Sequence, residues 1–292
     1  MIALTVVLAV LVGVSLGLLG GGGSILTVPL LAYVAGMDAK QAIATSLLVV
    51  GVTSAVGAVS HARAGRVQWR TALLFGATAM VGAYAGGHLA KFIPGSVLLI
   101  GFALMMIATA VAMLRGRKST TESAHPKEHL PILKIVAEGV VVGLVTGLVG
   151  AGGGFLVVPA LVLLGGLPMP VAVGTSLVVI AMKSFAGLAG YLSVVQIDWT
   201  VAAMVTAAAV LGGILGSRFA AVVNPDALRK AFGWFVLIMS GVILGQEVHA
   251  AVGITVVILT GIGAAIMFGC SRIQTCPLRR SRAQTAARTS AA

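Results

Sequence analysis

Apolar residues in this chain run in long unbroken stretches instead of alternating. The stretches are 2–19, 25–35, 41–60, 71–92, 96–114, 135–149, 155–166, 171–191, 200–222, 227–246 and 250–269. About 18 or more apolar residues suffice to cross the hydrocarbon core of a bilayer as a helix. Strands of a membrane β-barrel alternate every second residue, so that architecture does not fit. Two polar stretches interrupt the pattern. Residues 115–134 (RGRKSTTESAHPKEHLPILK) hold five bases and two acids. The tail from Ser271 carries Arg272, Arg279, Arg280, Arg282 and Arg288, and is expected to be disordered. The chain thus divides into a first transmembrane unit (1–114), a cytoplasmic linker (115–134), a second unit (135–249), an extra helix (250–269) and a basic cytoplasmic tail (270–292).

The two units repeat one another. GLLGGGGSILTVPLL at 17–31 matches GLVGAGGGFLVVPAL at 147–161, and Pro29 falls on Pro159, 130 residues later. The same offset pairs Thr45-Ser46-Leu47 with Thr175-Ser176-Leu177 without a gap. It also pairs Ser54 with Ser184, Trp69 with Trp199, Gly82 with Gly212 and Gly86 with Gly216. Two copies of a multi-span unit suit a transporter better than a solenoid.

The first segment of each unit decides whether the copies are parallel or inverted. Residues 2–35 would make a helix of about 50 Å, too long for a core of about 30 Å. Gly20-Gly21-Gly22-Gly23 interrupts them. If the segment turns back as a Gly-broken helical hairpin, each unit crosses an odd number of times and the second is inverted. Positive charge favours that choice. Inversion puts loop 61–70 (Arg63, Arg66, Arg70), the linker, Arg229, Lys230 and the tail on one side. The expected fold is an all-α polytopic membrane protein of two inverted repeats, N-terminus outside and C-terminus cytoplasmic.

Composition supports the membrane reading. The chain has 292 residues, 59% hydrophobic and 9% charged, with a mean hydropathy of +1.11. Soluble domains carry about 25% charged residues, so a soluble enzyme, a disordered chain and a disulfide scaffold are excluded. The net charge is +12. Its bases cluster between apolar runs, which is a topology signal and argues against nucleic acid as a partner. Cys270 and Cys276 have no metal-ligand neighbours, and neither a metal nor a cofactor is expected. Residues 1–19 lack the basic region of a secretory signal, and none is expected.

Several residues could carry chemistry. A run of glycines cannot continue a helix, because each costs about 1 kcal/mol relative to Ala. Broken backbone at membrane depth is tolerated only inside protein or beside water. Gly20, Gly21, Gly22 and Gly23, with Gly152, Gly153 and Gly154, are therefore expected at an internal cavity. The helices restarting at Ser24 and Phe155 would aim free N–H groups at it, which suits an anion. Close packing through small residues is the competing explanation. Thr45, Ser46, Thr175 and Ser176 place hydroxyls in apolar helices. They either line a pathway or bond back to their own helix. Ser46, Thr53, Gly57 and His61 share one helix face, matched by Ser176, Lys183, Gly187 and Tyr191.

Lys183 lies about 12 residues into the run 171–191, too deep to reach water easily. A cation there favours an anionic substrate; a Lys satisfied by backbone carbonyls is the alternative. Its repeat partner is Thr53, so the charge is not part of the symmetric core. His61, Arg63, His88 and Arg218 read as interfacial anchors. The carboxylates Asp38, Glu138, Asp198, Asp226 and Glu247 all fall near segment ends, so no mid-span proton relay is visible. His-Glu-x-x-His and Gly-x-Ser-x-Gly are absent, and no enzyme is expected.

The doubled segment GLLGGGGSILTVP and GLVGAGGGFLVVP, each followed by Thr-Ser-Leu, resembles the TauE/SafE family over roughly residues 1–269. The resemblance implies a permease of the bacterial inner membrane for sulfite, organosulfonates or related small anions. By resemblance, Gly20–Gly23, Pro29, Thr45-Ser46, Gly150–Gly154, Pro159 and Thr175-Ser176 match the repeated signature. Sulfur itself is not read from the residues. A passive anion channel of the same fold and a non-transporting scaffold stay open as rivals.

Overall fold

The computed structural model describes residues 2–19, 24–115, 132–150, 157–158, 161, 167, 169–219, 225–248, 255–256 and 258. Among them every regular element is helical and there is no strand. The elements are α1 (Ile2–Leu19), α2 (Thr27–Pro29, continued by a π-helical turn Leu30–Val34), α3 (Ala39–Arg63) and α4 (Trp69–Leu89). They continue with α5 (Gly95–Arg115), α6 (Ile132–Val149), α7 (Met169–Leu192), α8 (Trp199–Phe219) and α9 (Pro225–Glu247). The starts of α6, α7, α8 and α9 each fall 130 residues after those of α1, α3, α4 and α5. Of the expected extra helix at 250–269, only 255, 256 and 258 are described, and they are helical. The linker interior and the tail lie outside the described residues.

Local chemistry sets the helix ends. Asp38 caps α3 by accepting from the Lys40 N–H at 3.2 Å. Gly65, at φ +66°, takes the left-handed position that stops α3. Asp198 caps α8, accepting from Thr200 N–H at 2.9 Å and Val201 N–H at 3.2 Å. Gly150, at φ +72°, ends α6. Ala at Gly150 would also place its Cβ 2.5 Å from Ile43 Cγ2. Gly150→Ala is thus expected to cost about 2–5 kcal/mol. Gly65→Ala, with open space around it, should cost only about 1–2 kcal/mol. Thermal unfolding of the two variants in detergent checks the difference.

Among the described residues four long helices are apolar enough to cross a membrane, at Ala39–Arg63, Trp69–Phe92, Val171–Leu192 and Trp199–Arg218. Shorter apolar helices accompany them, including Leu4–Gly17, Gly95–Val111, Val136–Val149 and Gly233–Glu247. The outer faces carry exposed apolar side chains such as Leu11 on α1, Val81 on α4 and Leu211 on α8, as expected of a membrane protein. Trp69 and Trp199 are exposed at the starts of α4 and α8.

Glycine sets how closely the helices approach. A Cβ at Gly13 or Gly17 of α1 would fall 2.1 Å from Ala209 O or 2.2 Å from Gly213 O of α8. A Cβ at Gly143 or Gly147 of α6 would fall 2.1 Å from Ala79 O or 2.5 Å from Ala83 O of α4. The residue pairs advance together, so α1 runs alongside α8, and α6 alongside α4, in the same direction. Side-chain contacts are few at such a distance, and backbone-to-backbone packing replaces them. The central pair α3 and α7 crosses the other way. Leu177 packs on Gly57 and Leu47 on Gly187.

The bundle has two distinct ends. One bears Arg63, Arg66 and Arg70 around the α3–α4 turn, with Gly174 of α7 packed against Arg66. The other gathers the turns before α3 and after α4 and α7. There Lys40 Nζ donates to Lys91 O at 3.4 Å, Gln41 Nε2 to Gln196 O at 3.3 Å, and Tyr33 Oη to Glu247 at 3.2 Å.

Candidate functional site

Two pockets open on the seam between α1, α3 and α8, one towards each end. The first, about 200 Å³, lies at the Lys40–Lys91 end and is lined by Thr5, Gln41, Thr45, Asp198 and Met204 among others. The second, about 300 Å³, lies at the arginine end and is lined by Leu16, Thr53, Ser54, His61, Arg63 and Ser217 among others. From Thr45 to Thr53 along α3 is about 12 Å. Between the two pockets in sequence each helix is sealed by small or branched apolar residues. These are Ala9 and Val12 on α1, Val49 on α3 and Ala209 on α8, all buried. The seam has a pocket at each end and is closed in the middle.

Lys183 sits 14 residues into α7 and is 2% exposed. Its Nζ donates to Thr146 Oγ1 of α6 at 2.6 Å. Thr146 in turn lies 2.7 Å from Val142 O, its own helix carbonyl. The partner is thus a hydroxyl on a neighbouring helix, not a backbone carbonyl. Eight residues further along α7, the Tyr191 hydroxyl donates to Leu148 O, one of the last carbonyls of α6. Lys183 and Tyr191 line neither pocket.

The hydroxyls divide by where their single proton goes. Ser46 Oγ lies 2.8 Å from Ile43 O and 2.8 Å from Gly150 O, which ties α3 to the start of the second glycine cluster. Thr53 bonds back to Val49 O at 2.7 Å and Ser176 to Val173 O at 2.8 Å. Thr175 accepts from the Gln68 N–H at 3.0 Å. Thr45, Ser54 and Ser184 are buried with hydroxyls that have no partner among the described residues. Ser24 is fully buried in the 3₁₀ turn that opens α2.

The expected site residues are therefore only partly assembled. Ser46 meets the edge of the second glycine cluster at Gly150. Thr45 faces the first pocket, while Thr175 sits at the opposite end beside Gln68. Gly20, Gly21, Gly22, Gly23, Gly152, Gly153 and Gly154 lie outside the described residues. Thr146, Ser54 and Ser184 were not expected as site residues. The repeat paired Ser54 with Ser184 but gave no sign that both would be buried without partners. Among the described residues no cluster of His, Cys, Asp or Glu could hold a metal.

Similar proteins point one way. The chain is similar to a "Probable membrane transporter protein" of Xylella fastidiosa (strain 9a5c), 36% identical over 78% of this chain and 88% of the relative. It is also similar to "Probable membrane transporter protein YdhB" of Bacillus subtilis (strain 168), 27% identical over 78% of this chain and 94% of the relative. No solved structure matches the chain significantly. A family model described as Sulfite exporter TauE/SafE matches residues 5–244, and the chain belongs to that family.

Proposed function

We propose that the chain is a secondary transporter of small anions, with sulfite and organosulfonates the first substrates to try, working by alternating access between two inverted halves. One observation carries this reading. The arginine-end pocket is lined by Leu16, Thr53 and His61. Their counterparts 130 residues on, Thr146, Lys183 and Tyr191, are packed together and buried. The first half is therefore open at a place where its repeat counterpart in the second half is shut, an asymmetry of the kind that alternating access requires. Inversion is supported by the antiparallel crossing of α3 and α7 and by the exchange of partners: α1 lies on α8 as α6 lies on α4.

Arg63, Arg66, Arg70, Arg115 and Arg218 lie at one end of the bundle, and the positive-inside rule assigns that end to the cytoplasm of a cell membrane. The N-terminus then faces outward. Gly20–Gly23 and Gly152–Gly154, with Ser24, would offer N–H groups to the anion. Ser46 and Ser176 would serve as donors only after releasing the carbonyls they now hold. Thr45 and Thr175 would line the two approaches. Lys183 supplies positive charge when its seam opens. Proteoliposomes of the purified chain, with and without a proton gradient, test the reading. Saturable sulfite or sulfoacetate flux is expected; non-saturable flux would indicate a channel, and no flux from folded protein a scaffold.

The closed seam makes a separate prediction. Tyr191→Phe removes the latch to Leu148 O and should lower stability by about 0.5–1.5 kcal/mol. Thermal unfolding reads it, and an unchanged melting temperature would deny the latch.

A further inference from the structure

We propose that the arginine-end pocket between α1, α3 and α8 is a small-oxyanion site, with Ser54, His61 and Arg63 as its donors. This rests on the transporter reading for the identity of the anion, but the pocket makes its own case. Its volume of about 300 Å³ is at the small end of ligand pockets. His61 and Arg63 line it and no carboxylate does. The opposite pocket is lined by Asp198 and by no base. The linings of the two pockets thus differ in sign, and the bases line this one.

Proton accounting singles out Ser54. Other hydroxyls of the lining are engaged: Thr53 lies 2.7 Å from Val49 O, Ser60 2.8 Å from Gly57 O and Ser217 2.8 Å from Ile214 O. Each offers an incoming ligand lone pairs, which an anion cannot use. Ser54 is 2% exposed and its Oγ has no partner among the described residues. His61 Nδ1 is likewise buried without a partner. A buried polar group left unpaired is costly, and a bound acceptor removes that cost. Arg63 is exposed at the mouth and makes no ion pair among the described residues, so its guanidinium is available for an oxyanion.

The repeat strengthens the assignment. Ser184, the counterpart of Ser54, is also fully buried with an unpartnered hydroxyl. It lies against Gly51 at the α3–α7 crossing. An unpaired hydroxyl at the same place in both halves fits one ligand-facing position used in turn, with Ser184 now in the closed half. His61, by contrast, has no basic counterpart: Tyr191 stands there and closes the seam.

Isothermal titration of sulfite and of sulfate into the full chain in lipid nanodiscs tests the site, alongside flux measurements on the same preparations. Wild type should bind at least one of the two. Ser54→Ala, His61→Gln and Arg63→Gln should each weaken binding roughly tenfold, with unchanged melting temperatures, and Arg63→Lys should recover part of the loss. Wild-type affinity in all three variants would overturn the site while leaving transport standing. Binding of neither anion by wild type would also overturn it. Pocket-dependent binding without any flux would uphold the site and remove the transporter reading.

Discussion

Lys183→Met is expected to cut anion flux by roughly 10–100-fold while leaving the helical fold intact. Met has nearly the length of Lys and no charge, so it fills the same volume at the centre of α7. The lost contact is the donation from Nζ to Thr146 Oγ1 at 2.6 Å. Thr146 is not orphaned by the change, because its hydroxyl still reaches Val142 O at 2.7 Å. Replacing a buried cationic side chain by an apolar one of similar size is often neutral or stabilising. Stability and transport should therefore separate in this variant. Thr146→Val separates them differently. It leaves Lys183 buried without its partner and should lower the melting temperature. Wild-type flux in Lys183→Met would remove this residue from the mechanism.

Gly143→Ala should have the largest effect on folding. The added methyl would lie 2.1 Å from Ala79 O and 2.8 Å from Ala79 C. Both are backbone atoms of α4, so nothing flexible can yield. Relief needs α4 and α6 to part along their length, and that would also part the glycine contacts at Gly139 and Gly147. A cost of at least about 3 kcal/mol follows, read as a lost monodisperse peak and a lower melting temperature. Gly101→Ala is the internal control. It adds the same methyl in α5 with nothing within 4 Å, and should be neutral or gain up to about 1 kcal/mol. Equal stability of the two variants would mean that α4 and α6 are not held by close backbone contact.

The sequence made the helices legible and the contacts only partly so. The long apolar runs give α1 its bounds and α6 its end at Val149, because a bilayer imposes element length directly. But α6 starts at Ile132, three residues before the run 135–149 and inside the stretch assigned to the linker. Gly82, Gly86, Gly212 and Gly216 were legible as a repeated pattern, and the structure finds each against a neighbouring backbone. Lys183 stood out because a charge in an apolar run is costly wherever it points. Its partner did not, since Thr146 lies in a different helix and hydroxyls are common in membrane segments. The stripe Ser46, Thr53, Gly57 and His61 was read as one face. In the structure Thr53, Gly57 and His61 line a pocket, while Ser46 turns to Gly150 O. Which hydroxyls keep a free proton depends on rotamer and on the neighbouring helix, and spacing carries neither. Hence the sequence marks Ser54 only as a repeat position, and leaves Thr45 between lining a pathway and bonding back to its own helix.

Alternating access is tested most directly by counterflow. Proteoliposomes loaded with unlabelled sulfite are diluted into radiolabelled sulfite, and uptake is followed over time. A carrier whose seam opens to one end at a time should transiently concentrate label inside, and loading the vesicles with a competing organosulfonate should reproduce the overshoot. Label that only equilibrates, at a rate independent of what the vesicles hold, would contradict alternating access.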